Sequence, residues 1–102
     1  AVTGPKRDPQ LPDVPTVAEL GLRGMEAVGF QGLVGPAGMP KDVVERLSSE
    51  LAKSLAKPDI KAKFATAGAE VHSLGPTEFA AFVKKDNEKW AKLIKERKLQ
   101  LD

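Results

Sequence analysis

A chain of 102 residues, 41% apolar and 29% charged, can form one hydrophobic core and is too apolar to be disordered. The net charge of +2, from 16 basic and 14 acidic residues, does not by itself indicate a nucleic-acid partner. Cysteine is missing from the sequence, which excludes disulfides and thiolate metal sites, and no apolar run reaches the length of a membrane span.

The first residues are typical of a strand that ends in a turn. Ala1–Thr3 is predicted as a strand remnant, and Gly4 and Pro5 close it. The sequence begins without methionine and without a signal peptide, in a segment that already resembles the end of a strand. We therefore expect the chain to be a piece of a longer protein.

A proline-rich segment follows, with Pro9, Pro12 and Pro15 at three-residue spacing. This spacing favours extended, polyproline-like backbone and predicts a stiff surface linker. A ligand for a proline-reading domain is the alternative, but no aromatic or basic residue is placed to support it. Pro15–Leu20 then predicts a helix of one or two turns, with Pro15 near its first position and Gly21 as its stop.

The centre of the chain predicts a strand, a sharp turn and an amphipathic helix. Val28–Val34 is rich in glycine and apolar residues and predicts a buried strand, which the glycines and prolines of residues 35–40 end. Asp42–Leu55 has a helical period, with its apolar residues within about 120° of one another on the helix. Met39 lies where a capping side chain is expected, and it carries no oxygen that could cap. Strand, turn and helix together make half of a layered α/β unit.

Two further helices and one strand are predicted in the remaining chain. Pro58–Ala67 is a helix that Gly68 stops, Ala69–Leu74 alternates as an edge strand would, and Pro76–Lys98 is a long final helix. The apolar side of the final helix also includes Asp86. A buried carboxylate needs donors, so we expect Asp86 to accept a hydrogen bond from a backbone N–H or a basic side chain.

The residues offer little for catalysis, metal binding or nucleic-acid binding. His72 is the single histidine, and neither Ser48 nor Ser73 has the G-x-S-x-G context of an exposed nucleophile. No metal-ligand spacing and no phosphate-binding loop is present, so no enzyme, metal site or cofactor is predicted. The lysines of the final helix are interrupted by glutamates, and its aromatic residues lie on the opposite side. This favours a solvated face over a nucleic-acid surface.

Several stretches, in order along the chain, carry a resemblance to one family. They are Ala1–Gly4 with Arg7, Leu11–Gly21, Gly32–Pro40, Val43–Leu47, Pro76–Phe82, and Lys89-Trp90 with Ile94. Together they resemble the Bug receptors, also called the TctC family, which are the extracytoplasmic solute-binding proteins of tripartite tricarboxylate transporters. The likeness extends over residues 1–102 and identifies the chain as the C-terminal third of such a receptor.

The resemblance implies an α/β fragment of a two-lobed periplasmic-binding-protein fold of type II, with short strands, a central amphipathic helix and a long C-terminal helix. Residues 1–5 would be its crossover strand, 6–27 a proline-rich segment with a short helix, and 28–102 a β-α-α-β-α segment. The implied function is the capture of a small organic carboxylate by lobe closure, without chemistry. Thr3 and Gly4 are then the expected ligand-binding residues.

The same resemblance implies the membrane subunits of the transporter as partners and a periplasmic location, with a signal peptide upstream of this piece. No nucleic acid is expected as a partner. An alternative interpretation is a small stand-alone α/β interaction or structural domain, with a dimer as one form of it. A piece cut from a lobe leaves apolar helix faces and strand edges unpaired, so the chain is also expected to associate with itself.

Overall fold

Three α-helices occupy the second part of the chain in the computed structural model, which describes residues 1–100. They are α1 (Lys41–Leu55), α2 (Pro58–Thr66) and α3 (Pro76–Arg97). Each lies within one residue of its predicted boundaries, so the helical period and the breaking residues located all three. The chain forms two compact units, Ala1–Pro36 and Ala37–Asp102, and the helices belong to the second.

The strands predicted at Val28–Val34 and Ala69–Leu74 are absent from the described residues. The only β-pairing within residues 1–100 is an isolated parallel bridge between Val2 and Thr16. Of these two residues, Val2 lies in the predicted strand remnant. A strand is completed by hydrogen bonds to a neighbouring strand, and neither segment has such a neighbour in the described chain. The apolar side chains of the first segment are accordingly exposed, with Val34 91% exposed.

α1 begins without a side-chain cap. Its N-cap residue is Pro40, one residue later than the cap position predicted at Met39, and no side chain bonds the free N–H groups of the first turn. The backbone closes that turn instead, because the Val44 N–H donates to the Pro40 carbonyl at 3.2 Å. Asp42 in the first turn adds a carboxylate that favours the positive end of the helix dipole.

α2 and α3 both end in a residue with positive φ. At the end of α2 this residue is Gly68, with φ +74°, and its N–H donates to the Ala65 carbonyl at 3.0 Å. At the end of α3 the residue is Lys98, with φ +50°. Glycine adopts this conformation without steric cost, whereas the side chain of a lysine crowds the backbone. Gly68 is the helix stop that the sequence predicted.

The apolar faces of the helices are only partly covered. α1 and α2 pack against each other, and none of the three helices contains a fully buried residue. On α3, Phe82 is 37% exposed and Trp90 38%. The described helices all lack the length or the hydropathy that a bilayer-spanning segment requires. The second unit therefore has helices in place but little of the burial that normally stabilises them.

We expect Lys98→Gly to stabilise the end of α3 by about 1 kcal/mol, because glycine removes the cost of a left-handed residue with a side chain. Arg97→Gly is the matched control one residue earlier. It lies within the helix and should cost about 1 kcal/mol. Denaturant unfolding followed by far-UV circular dichroism measures both. Equal effects of the two substitutions would contradict the role given to Lys98.

Candidate ligand-binding site

The N-terminal unit is built around the bridge that joins the first residues to the end of the proline-rich segment. The Val2 N–H donates to the Pro15 carbonyl, and the Val17 N–H donates to the Val2 carbonyl, both at 2.9 Å. Thr16 and Val17 are the most buried of the described residues, at 4% and 5% exposure. The bridge therefore fixes the segment that carries Thr3 and Gly4 against the only well-buried part of the unit.

A single helical turn follows the bridge, closed at both ends by local hydrogen bonds. The Thr16 hydroxyl accepts the Glu19 N–H at 3.1 Å, and the Glu19 carboxylate accepts the Thr16 N–H at 2.8 Å, which is a reciprocal capping box. At the other end Gly21, with φ +77°, donates its N–H to the Ala18 carbonyl. The helix predicted at Pro15–Leu20 is not formed: residues 17–21 are a hydrogen-bonded turn, which Thr16 caps, and Pro15 precedes the cap.

Arg7 ties the proline-rich segment to this turn. Its Nη2 and Nε donate to the Glu19 carboxylate at 2.7 and 3.0 Å, and its Nη1 donates to the Pro12 carbonyl at 2.9 Å. A planar guanidinium can make this fork of bonds, and a lysine ammonium cannot. The extended backbone around Pro12 is therefore held by a side chain of the same segment as well as by the stiffness of proline.

Two sets of donors stabilise the charge on Glu19. The hydrogen bond from Arg7, and after it the bond from the Thr16 backbone N–H, lower the pKa of Glu19 from 4.5 to about 2. The same hydrogen bond and charge raise the pKa of Arg7 above its usual value. Both side chains remain close to half exposed, so the pair is a surface ion pair whose strength comes from its geometry and its third donor.

The expected ligand-binding residue Thr3 lies against Ala27. The Thr3 carbonyl accepts the Ala27 N–H at 3.0 Å, and the Thr3 hydroxyl donates to the Ala27 carbonyl at 2.8 Å. The hydroxyl proton is therefore used to hold the loop that ends at Ala27. A carboxylate ligand accepts hydrogen bonds only, so this hydroxyl cannot donate to it while the bond to Ala27 is kept.

The backbone N–H groups of Thr3 and Gly4 remain as donors. Neither donates to an acceptor within residues 1–100, and Gly4 is half-buried. A Cβ atom added at Gly4 would meet only the Lys6 carbonyl oxygen, at an ordinary contact distance of 3.5 Å. Two successive N–H groups beside a position without a side chain can approach an anion closely.

The Arg7–Glu19 pair is the feature of this unit that the sequence prediction missed. Its two residues are twelve positions apart, so neither helical nor strand periodicity connects them. One local signal was present, because Thr16-Val-Ala-Glu19 has the spacing of a capping box. That motif predicts Glu19 at the start of a helical turn. It does not predict the arginine that also bonds the carboxylate.

Other candidate residues of the sequence lie apart from this site. His72 Nε2 is 3.5 Å from a carboxylate oxygen of Glu70, and both side chains are exposed. Asp86 is half-buried on α3, and no donor within residues 1–100 bonds its carboxylate, so the expected hydrogen bond is not formed there. The described residues contain no group of three acidic or histidine side chains that could hold a metal ion.

Comparison with known proteins identifies the class of protein. Residues 1–99 match the family model described as tripartite tricarboxylate transporter family receptor, TctC, and the members of that family are receptors that serve a transporter. A match over nearly the whole chain is decisive. The chain belongs to the tripartite tricarboxylate transporter receptor family. Membership in this family implies a periplasmic-binding-protein fold.

Three curated relatives agree with this assignment. The "UPF0065 protein in tcbD-tcbE intergenic region" of Pseudomonas sp. (strain P51) is 41% identical over 96% of this chain and 30% of its own length. The "UPF0065 protein in the TAR-I ttuE-ttuC' intergenic region" of Agrobacterium vitis is 40% identical over 67% of this chain and 20% of its own. The "UPF0065 protein in gbd 5'region" of Cupriavidus necator is 30% identical over 78% and 24%. The chain thus spans less than a third of each relative. No solved structure shows significant similarity to it.

The lowered pKa of Glu19 predicts an acid-sensitive N-terminal unit. As the pH falls, the carboxyl group of Glu19 is protonated near pH 4.5 in the unfolded chain, whereas its pKa in the folded chain is about 2. The stability that Glu19 contributes is therefore complete above about pH 4.5 and is lost as the pH falls through about 2. The Thr16 amide signal in an NMR titration reports this step. A midpoint near 4.5 would contradict the ion pair, and Glu19→Gln should remove the step altogether.

Proposed function

We propose that the chain is the C-terminal part of an extracytoplasmic receptor that captures a small organic carboxylate for a tripartite tricarboxylate-type transporter. The family match over residues 1–99 carries this proposal. The chain spans 30% of the relative that it matches over 96% of its own length, which supports a piece of a longer receptor. In that receptor two lobes of a type II binding-protein fold close on the ligand, and no bond is made or broken.

The partly covered helices and unpaired segments support the same proposal. Val28–Val34 is apolar and extended but has no strand beside it, and α3 exposes aromatic side chains. Within a complete lobe these segments regain strands and helix faces to pack against. Residues 1–5 then form the crossover strand near the hinge, and residues 28–102 form a wall of one lobe.

The backbone N–H groups of Thr3 and Gly4 are the proposed ligand contact of this piece. Free N–H groups attract a carboxylate without a basic side chain, because each contributes a partial positive charge directed at the anion. Gly4 allows the anion to come close to the backbone. Arg7 acts on the site indirectly. It bonds Glu19 in the capped turn, and the bridge next to that turn holds the residues before Thr3 and Gly4 in place.

The partners of the receptor are the membrane subunits of the transporter, and its location is the periplasm. Both follow from the family alone. The reading frame that encodes the chain tests the whole proposal at once. A receptor requires a long upstream segment that begins with a signal peptide, and a gene product of only these 102 residues would overturn it.

The 102-residue chain by itself should not bind carboxylates with useful affinity, because one part of a lobe cannot enclose a ligand. Calorimetry with citrate, glutamate and an aromatic acid measures this. Micromolar binding of any of them by the isolated chain would contradict the lobe-closure proposal and would favour a stand-alone binding domain.

In a complete receptor that carries this segment, we expect Gly4→Ala to weaken carboxylate binding by roughly tenfold or more, equivalent to about 1.4 kcal/mol. The added methyl group occupies the approach to the N–H groups but fits the fold, since it meets only one carbonyl oxygen at 3.5 Å. Gly29→Ala is the matched control, because a Cβ there meets nothing within 4 Å. Equal affinity of the two variants would exclude Gly4 from the ligand site.

A further inference from the structure

The two proposed donor N–H groups belong to peptide units whose carbonyl oxygens already accept hydrogen bonds. The peptide bond between Val2 and Thr3 carries the Thr3 N–H, and its Val2 carbonyl accepts the Val17 N–H at 2.9 Å. The next peptide bond carries the Gly4 N–H, and its Thr3 carbonyl accepts the Ala27 N–H at 3.0 Å. Each proposed donor therefore shares a conjugated amide group with an acceptor that is bonded inside the N-terminal unit.

The planarity of the peptide bond fixes the direction of these N–H groups. Within the described chain no peptide bond is cis, so the N–H of each unit points away from the carbonyl oxygen of the same unit. The Gly4 N–H is thus directed away from Ala27, and the Thr3 N–H away from Val17. An anion that accepts from either N–H approaches on the opposite side of the amide group. The internal hydrogen bonds can therefore be kept while a ligand is bound.

The loop that ends at Ala27 is tied to the bridge at both ends. At its start, the Leu22 N–H donates to the Val17 carbonyl at 3.0 Å. At its end, Ala27 makes two hydrogen bonds with Thr3, one between backbone groups and one from the Thr3 hydroxyl at 2.8 Å. Gly24, with φ +79°, lets the backbone turn between these ends. The end of the loop is therefore held by the same peptide unit that carries the second proposed donor.

From this arrangement we propose that a carboxylate bound at the Thr3 and Gly4 N–H groups strengthens the hydrogen bonding of the 22–27 loop. The relay is a chain of hydrogen bonds that runs from the anion through the Gly4 N–H and the Thr3 carbonyl to the Ala27 N–H. An acceptor on the N–H side of an amide polarises the group and makes its carbonyl oxygen a stronger acceptor. The inference rests on the ligand contact proposed above, and it adds a segment that responds to the ligand.

Coupling of this kind acts in both directions. If the ligand strengthens the bond to Ala27, then a firmly held loop raises the affinity for the ligand by the same factor. The Thr3 side chain is then a positioning residue. Its hydroxyl donates to the Ala27 carbonyl and so keeps the Ala27 N–H aligned with the Thr3 carbonyl. The hydroxyl thereby acts on the site without any contact with the ligand.

Amide NMR of a complete receptor that carries this segment, isotope-labelled at glycine and alanine, tests the relay. The receptor is titrated with citrate, glutamate and benzoate. A carboxylate that binds should move the Gly4 amide proton downfield, because it accepts a hydrogen bond from that group. The Ala27 amide proton should move downfield with the same dissociation constant, and it should exchange with solvent more slowly in the complex.

Substitutions of Thr3 separate the relay from a local effect of the ligand. Thr3→Val removes the hydroxyl with little change in volume, so it should weaken carboxylate binding by roughly threefold or more and reduce the Ala27 shift. Thr3→Ser keeps the hydroxyl and should restore both. Thr77→Val is the matched control, because the Thr77 hydroxyl bonds nothing among the described residues. It should bind carboxylates as the wild type does.

A failed relay and a failed ligand contact give different spectra. A Gly4 shift without an Ala27 shift would overturn the relay and leave the ligand contact standing, and so would a Thr3→Val receptor that binds as tightly as Thr3→Ser. If none of the three carboxylates moved the Gly4 signal, the ligand contact itself would be overturned, and the relay with it.

Discussion

The N-terminal unit depends on two sets of polar bonds, the bridge at Val2 and those that the carboxylate of Glu19 accepts. This carboxylate accepts hydrogen bonds from the Arg7 guanidinium and from the Thr16 backbone N–H, and so joins the start of the proline-rich segment to the turn at its end. Proline restricts the backbone to an extended conformation, but it has no N–H group that could bond the segment to other residues. The path of the proline-rich segment is set instead by the Arg7–Glu19 ion pair and by the bridge at Val2. The turn that carries Thr3 and Gly4 is held by polar bonds, while apolar burial is confined almost to Val17.

The helices could be predicted from the sequence and the strands could not, because a helix depends on nearby residues and a strand depends on a partner that is distant in sequence. α1, α2 and α3 follow from a period of 3.6 residues and from glycine and proline at their ends, all of which are local properties. A strand at Val28–Val34 needs a partner that the sequence of the segment does not contain, and none is present in the described chain. The segment therefore has strand composition without strand pairing. Asp86 shows the same limit: it is half-buried on α3, but the hydrogen bond predicted for its carboxylate is not formed within residues 1–100.

The candidate site was predictable to a similar extent. Thr3 and Gly4 were predicted from the resemblance to the receptor family and stay a prediction; in the structure Thr3 is hydrogen-bonded to Ala27. The residue types alone would have suggested the Thr3 hydroxyl as the ligand donor, yet that hydroxyl is bonded to the Ala27 carbonyl. The proposed donors are backbone N–H groups instead, and these are present at every residue but proline, so the sequence does not single them out. Arg7 was matched to the family but its bond to Glu19 was not foreseen, since only the Thr16–Glu19 end of the network has a local motif.

The proposed site of backbone donors would divide the work of recognition within a receptor. N–H groups bind any carboxylate, because they contact the charge and not the remainder of the molecule. Discrimination between a citrate and an aromatic acid requires side chains that contact the rest of the ligand, and this turn presents none beyond Thr3, whose hydroxyl is already engaged. Under the proposal, a receptor could change its ligand without any change at Gly4, provided that the bridge and the Arg7–Glu19 pair keep the two N–H groups in place. The proposed site then depends on the position of this backbone, so substitutions in the polar network that fixes it should affect every ligand of the proposed receptor alike.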